Sequence, residues 1–287
     1  MKKILILILI ALCYRSMQAQ VVHEPSSKNH PEWSTPFPPF RIVGNLYYVG
    51  TADLACYLLV TPKGNILINT GLASSERLIG ESIKKLGFKL SDLKILLTTQ
   101  AHFDHLGAMA AIKKVTGAKF MVDYADAQVA ADGGLSDYDL DGKVAVFEPI
   151  KVDRILHNND IIRLGGMELI MLHHPGHTKG SCSFLLTVND QKRKYRVLIA
   201  NLPTIVTDKK FADVSSYPQI AKDYAYTLRN MKNLKFDLWV ASHGSQFDLL
   251  KKHQPGDLYN PGAFTDVKSF YDYLDELQVV YEKKNEK

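Results

Sequence analysis

A short apolar run, "LKILLTT" (93–99), passes directly into "QAHFDHLGAMAAIKKVTG" (100–117) and then into a second run, "AKFMVDY" (118–124). An unbroken apolar run of this length reads as a strand buried on both faces. The chain must therefore supply a packed layer on each side of it. The helically spaced stretch "HLGAMAAIKKVTG", closed by Gly117, is one such layer. The rest of the first half follows the same grammar. "RIVGNLYYVG", "ACYLLVTP" and "NILINT" read as strands, with turns at Gly44-Asn45 and at 62–64. "SSERLIGESIKKLG" reads as a helix with Ser at its cap, Leu78, Ile79, Ile83 and Leu86 at helical spacing, and Gly87 at its end. The second half repeats the order without repeating the sequence. "DRILHNNDIIRL", "MELIMLHHPG", "SCSFLLTV" and "YRVLIANLP" are strand-like, "SYPQIAKDYAYTLRNMKNL" is a long helix, "LWVASHG" is a buried strand, and 264–283 is an amphipathic helix. This order predicts an α+β chain in which two open sheets bury their faces against each other and leave the helices outside. A chain of 287 residues with 46% apolar content is long enough to build that core.

Polar chemistry collects where strands end. His102, Asp104 and His105 open the loop after "LKILLTT", His177 lies in "HHPGHTKGS", and His243 in "VASHGSQF". Loops at strand ends on one rim are where binding groups gather. One His-x-Asp-His run is ordinary surface chemistry, whereas three strand ends that each offer imidazole make a metal constellation. A tight loop points His102 and His105 apart, so one ion can take His102 while a neighbouring ion takes Asp104 and His105. His177 and His243 arrive from the other half to complete each site. Imidazole and carboxylate without thiolate suit Zn²⁺. His173 and His174 read as strand and supporting residues, because Pro175 and Gly176 make the turn that presents His177. His23, His30, His157 and His253 lie in polar stretches and read as solvated.

The first residues follow different rules. Lys2 and Lys3 precede "ILILILIAL", an apolar run too short to span a bilayer and matching the basic start and apolar centre of an export signal. Ala19 is the expected cleavage point; a buried N-terminal helix is the plainer reading. Cys13 resembles a lipoprotein cysteine, but Leu12 before it is too bulky. The net charge is +5, and loss of Lys2, Lys3 and Arg15 with no acid leaves +2. That is no nucleic-acid footprint, which needs a clustered basic face. "QKRKYR" (191–196) reads as a solvated hairpin turn. Residues 20–40, ending "PFPPF", read as an extended arm. Beyond the signal, Cys56 and Cys182 remain, each within a strand-like run, and are expected as buried free thiols.

The runs "TTQAHFDHLGA", "HHPGHTKGS" and "ASHGSQF" resemble the metallo-β-lactamase superfamily. Over nearly the whole chain, from "FRIVGNLYYVGTADLACYLL" onward, the likeness is to subclass B3 and most closely to the GOB-type enzymes. The resemblance implies a single domain (20–287) with a four-layer αββα sandwich, and a dinuclear zinc cleft at one edge. The superfamily pattern is His-x-His-x-Asp-His, so Gln100 stands where an imidazole is expected; GOB-type enzymes share this glutamine. The implied first site is Gln100, His102 and His177, and the second is Asp104, His105 and His243. The second is expected to be the tighter, since an amide oxygen is a poorer donor than imidazole. One or two zinc ions are expected in the working enzyme.

The implied reaction is hydrolysis of the β-lactam amide of penicillins, cephalosporins and carbapenems, conferring antibiotic resistance. Water activated by zinc attacks, with no serine nucleophile and no covalent intermediate. Asp104 is a ligand first and a proton relay second. Family members place hydroxyls after the strand "VLIAN" to hold the substrate carboxylate; here Leu202 takes one position and Thr204 the other. Lys179 is a candidate for an anionic group, with a solvated loop lysine as the plainer reading. Trp33, and Leu140, Val144 and Phe147 from the loop 135–147, are candidates for the cleft wall. The remaining expectations are a monomer in the periplasm, free of nucleic acid and, once the signal is removed, of membrane. The competing readings are a glyoxalase-II-like thioesterase or a lactonase, and an exported zinc-binding protein with a decayed site. Those hydrolases carry a bridging aspartate after the strand that ends here in Asn201 and Leu202.

Overall fold

A computed structural model describes residues 21–140, 142–191 and 193–286. The expected signal segment 1–19, with Lys2, Lys3, Cys13 and the cleavage point at Ala19, lies outside these residues. Among the described residues, twelve strands form two sheets. The first has the order β1 (Phe40–Val43), β2 (Leu46–Tyr48), β3 (Tyr57–Thr61), β4 (Gly64–Ile68), β5 (Leu93–Leu97), β6 (Lys119–Asp123) and β7 (Arg154–Leu156). Its pairs are antiparallel from β1 to β4 and parallel from β4 to β7. The second runs β12 (Leu238–Ala241), β11 (Arg193–Ala200), β10 (Cys182–Asp190), β9 (Met167–His173), β8 (Ile161–Leu164), and only β11–β12 is parallel. The helices are α1 (Ser75–Lys85), α2 (Phe103–Leu106), α3 (Met109–Thr116), α4 (Ala127–Asp132), α5 (Ile220–Lys232), α6 (Leu249–Lys252) and α7 (Val267–Asn285).

Burial resolves the layers. Tyr57, Leu59, Ile66, Ile68 and Leu97 of the first sheet share one core with Leu169, Met171, Phe184 and Leu186 of the second. Alternate residues of the first sheet, Leu58, Leu67, Leu96 and Phe120, pack with Ile79 and Ile83 of α1, Ile112 of α3 and Val129 of α4. Leu228 and Met231 of α5 and Phe270 and Leu274 of α7 join the core on the far side of the second sheet, where the Phe270 ring lies 5.3 Å from Trp239. The result is the four-layer αββα sandwich. The Tyr57 hydroxyl donates to the Ala241 carbonyl, a polar tie across the two sheets.

The structure departs from expectation in three places. "HLGAMAAIKKVTG" is not one helix: α2 ends at Leu106 and α3 begins at Met109. A Cβ on Gly107 would lie 2.3 Å from the Ala73 nitrogen, so the chain passes the α1 loop at a distance only glycine tolerates. "DRILHNNDIIRL" holds two strands, β7 and β8, that belong to different sheets. Helix α4 was not anticipated. Gly117 does close α3 in the left-handed conformation, its N–H bonded to Lys113 O at 2.9 Å. Cys56 and Cys182 are free and buried. "QKRKYR" joins β10 to the antiparallel β11, but its last four residues, Arg193 to Arg196, already lie in β11. Among the described residues, no helix is long and apolar enough to cross a membrane.

Candidate metal centre

The rim of the centre is built where β5 ends. Asn69, held at φ 61°, follows β4 and turns its side chain toward Thr98 and Thr99. Its Oδ1 accepts the Thr99 N–H at 2.9 Å and faces both threonine hydroxyls. From the second sheet, the Cys182 N–H donates to Thr99 O at 2.8 Å and the Asn201 amide does so at 3.2 Å. The chain leaving β5 is therefore fixed before it reaches Gln100. His102, extended at φ −102° and ψ 156°, precedes α2 and accepts the N–H groups of His105 and Leu106. That geometry answers the spacing: His102 stands outside the helix while Asp104 and His105 lie in its single turn.

His177 and His243 come from the second half. The Nδ1–H of His177 meets the Thr204 carbonyl at 2.8 Å and its hydroxyl at 2.9 Å. A carbonyl only accepts, so Nδ1 carries the proton and Nε2 keeps its lone pair. His243 is oriented in the same way by Asp53, whose Oδ2 accepts from its Nδ1 at 2.9 Å. Asp53 also accepts from Trp33 Nε1 at 3.1 Å and from the Ser245 N–H at 2.7 Å. His102 Nε2 faces Asp137 Oδ2 at 3.5 Å.

These groups converge. Asp104 Oδ2 lies 3.2 Å from His105 Nε2 and 3.4 Å from His243 Nε2, and the three residues offer ligand atoms within 4.8 Å of one another. The rings of His102 and His177 are 5.0 Å apart, as are those of His105 and His243. Gln100 Oε1 and both ring nitrogens of His105 are buried without a hydrogen-bond partner. Buried donors and acceptors are almost always satisfied, so these orphaned atoms, beside a carboxylate and further imidazoles, fit a metal ion.

The electrostatics agree. Burial pushes the Asp104 carboxyl up, but His105 and His243 override it and hold its pKa well below the usual range. Burial opposes charge on His102 and His243 too, yet Asp137 raises the first to about 9, and Asp104 with Asp53 raises the second to about 9. His177 goes the other way, to about 3, through burial and the neighbouring His102. Burial lowers His105 as well, so two of the four imidazoles hold a proton in the metal-free cluster and two stay neutral beside the Asp104 carboxylate, a donor set that suits a divalent cation.

A cleft of about 260 Å³ opens over the cluster, lined by Trp33, His102, Phe103, Asp104, Asp139, Leu140, His177, Val206 and His243. Trp33 and Leu140 stand in its wall as expected. Leu202 does not: it is 0% exposed and packed in the core, so it reaches no substrate. The Thr204 hydroxyl faces His177, not the cleft. Lys179 is half-buried with its ammonium 5.5 Å over the Tyr217 ring, outside the lining. Phe147 is buried among α4 neighbours, and Val144 is exposed away from the lining. His173 pairs with Asp123 at 2.8 Å and His174 with the Ser183 hydroxyl at 2.8 Å, both supporting positions. His253 is a correction: it is buried against the Phe40 ring at 3.7 Å, not solvated. Sequence reasoning missed Asp53, Asp126 and Asp137. Asp53 and Asp137 meet distant imidazoles and Asp126 meets the loops at 101 and 178–180, and nothing local marks an aspartate for so remote a partner.

Comparison with known proteins agrees with this geometry. A sequence-family profile described as "Metallo-beta-lactamase superfamily" matches residues 53–190. The class B3 di-zinc metallo-β-lactamase LRA-12 from an Alaskan soil metagenome is 63% identical, with a TM-score of 0.91 over 92% of this chain and 100% of that one. The metallo-β-lactamase GOB-18 from Elizabethkingia meningoseptica is 55% identical, with a TM-score of 0.91 over 93% of this chain and 98% of that one. A more distant relative, the N-acyl homoserine lactonase of Bacillus cereus, is 25% identical in an alignment 208 positions long that covers 63% of this chain and 74% of the relative. On the fold, the convergent strand-end loops and these likenesses, the chain belongs to the metallo-β-lactamase superfamily and, within it, to subclass B3.

Proposed function

We propose that the protein hydrolyses the β-lactam amide of penicillins, cephalosporins and carbapenems, and so confers resistance to them. Its metal is zinc, held by Gln100, His102 and His177 at a first site and by Asp104, His105 and His243 at a second. The domain is residues 20–287, a monomer that follows an export signal at 1–19 and works in the periplasm. The observation that carries the reading is the convergence of three loops on buried, unpartnered ligand atoms beneath an open cleft.

When bound, zinc lowers the pKa of a water from 15.7 to about 7 and stabilises developing negative charge. The protein's own part is positioning. Thr204 and Asp53 fix the tautomers of His177 and His243, so both present Nε2. Trp33, Phe103, Leu140 and Val206 form an apolar rim that excludes bulk water from a seated substrate. No serine, threonine or cysteine lines the cleft among the described residues, which supports direct hydrolysis without a covalent intermediate. Asp104, buried and anionic between two imidazoles, is placed to ligate, and would relay a proton only by first accepting the one released by the attacking water and then returning it to the leaving nitrogen.

The lactonase or thioesterase reading needs a carboxylate where Asn201 stands. Asn201 is instead committed to the framework: its amide donates to Thr99 O and its Oδ1 accepts from the Ser242 hydroxyl at 3.2 Å. The test is incubation of the purified protein with a penicillin, a cephalosporin and a carbapenem, with and without chelator. Loss of substrate with gain of one water, abolished by chelator, is expected. Turnover of thioesters or lactones alone would transfer the assignment to that other class.

A further inference from the structure

The ligand sets proposed above draw on both halves of the chain, so something must hold the two halves of the first site in register. We propose that Asp126 is the positioning residue for that site, a single carboxylate that clasps the Gln100–His102 loop to the His177 loop and thereby sets first-site metal affinity. The inference rests on the proposed ligand sets and goes beyond them.

Asp126 is 0% exposed and occupies the position just before α4. An aspartate there ordinarily caps its own helix. This one makes no such bond. Its Oδ2 instead accepts the Ala101 N–H at 2.8 Å and the Thr178 hydroxyl at 2.7 Å, and its Oδ1 accepts the Gly180 N–H at 2.7 Å. Ala101 lies between Gln100 and His102, and Thr178 directly follows His177. All three donors adjoin first-site ligands and none lies beside His243, although Ala101 also leads, one residue past His102, into the α2 turn that carries Asp104 and His105. The approach is close enough to dictate a neighbour: a Cβ on Gly180 would lie 2.4 Å from the Asp126 nitrogen and 2.6 Å from its Cγ. The clasp is itself braced. The Ser181 hydroxyl accepts the Thr178 N–H at 2.8 Å and lies 2.8 Å from the Thr178 hydroxyl, whose own proton goes to Asp126. The second site has a separate brace, Asp53, which holds His243 and Ser245 and touches no first-site loop. The two sites are thus supported by different carboxylates and are expected to respond independently.

The experiment is zinc titration of the full chain against a chromophoric chelator, resolving two successive dissociation constants, with Gln100→Ala marking which of them belongs to the first site. Asp126→Asn preserves the volume but turns one acceptor into a donor facing N–H groups. Its first-site affinity is expected to fall tenfold or more, the scale at which loss of a ligand's supporting partner acts, while the second-site constant stays within twofold. Thr178→Val, which removes one donor and leaves the carboxylate, is expected to lower the same constant by a smaller factor, and it tests the clasp even if Asp126→Asn does not fold. Asp53→Asn is the mirror control and is expected to weaken the second site alone. Cobalt substitution gives a readout independent of turnover: visible absorption per bound ion should drop for the first site only. If the wild type binds two ions and both Asp126→Asn and Thr178→Val match it, or weaken both sites equally, the clasp is wrong and the ligand sets stand. If the wild type takes up no zinc, the ligand sets fall and the clasp with them.

Discussion

At the scale of single residues, Gln100 carries the most chemistry for its size. It is neutral, 2% exposed, and its Oε1 has no partner, while its backbone is held by the Thr98 hydroxyl at 2.6 Å. An amide oxygen offers a metal less than an imidazole nitrogen, and it must be desolvated without the compensation of charge. Gln100→His is therefore expected to raise zinc content per chain at limiting metal, measured by elemental analysis beside the wild type. Equal occupancy in the two proteins would show that the glutamine does not weaken its site. His102, Asp104, His105, His177 and His243 could be picked out as candidates in the sequence because strand-like runs precede them, whereas Gln100 is marked only by its place in the pattern of the superfamily the chain resembles. Asp53, Asp126 and Asp137 were not legible, because their partners lie 190, 52 and 35 positions away. Leu202 was misjudged because a position next to a strand end says nothing about which side of the chain faces solvent.

At the scale of elements, the turn from α2 to α3 shows how a local pattern can be right about type and wrong about continuity. Leu106, Met109 and Ile112 keep helical spacing through the break and all three are buried. The break exists because the Gly107 N–H donates to Gly71 O at 2.9 Å as well as to Phe103 O, tying α2 to the loop that leads into α1. Gly107→Ala would place a methyl against the backbone of Leu72 and Ala73 at 2.3–2.4 Å. Neither neighbour is a flexible side-chain end, so the ligand loop itself must shift. A loss of about 2–3 kcal/mol is expected, measurable as a lower Tm together with weaker zinc uptake. A Tm equal to that of the wild type would mean that the two loops separate freely. The split of β7 from β8 could not be read from "DRILHNNDIIRL", since the alternation is the same whichever sheet a strand joins. Helix α4, at six residues, is too short to establish a period.

At the scale of the whole molecule, the order of elements made two stacked sheets legible, but not the strand order within them, which depends on crossovers that leave no local mark. His174 is one of the buried groups, apart from the proposed metal ligands, whose titration bears on global stability. His174 is 3% exposed, and burial, with His173 beside it, lowers its pKa to about 3. A depressed imidazole pKa means that protons favour the unfolded chain, where the value is about 6.5. Its contribution is therefore complete above pH 6.5 and is lost progressively as the pH falls toward 3. Between pH 7 and 5 the loss is about 2 kcal/mol. Metal-free His174→Gln is expected to lose that much less than the metal-free wild type over the same interval, as read by urea denaturation. Parallel declines in the two proteins would place His174 in a wetter setting. The rim on which the imidazoles meet lies along the seam between the sheets, and each proposed ligand set takes members from both. The segment from Gln100 to His105 holds only part of each proposed ligand set, and the remainder, His177 and His243, is contributed by loops of the other sheet. Each proposed set is therefore complete only once the two sheets have closed on each other.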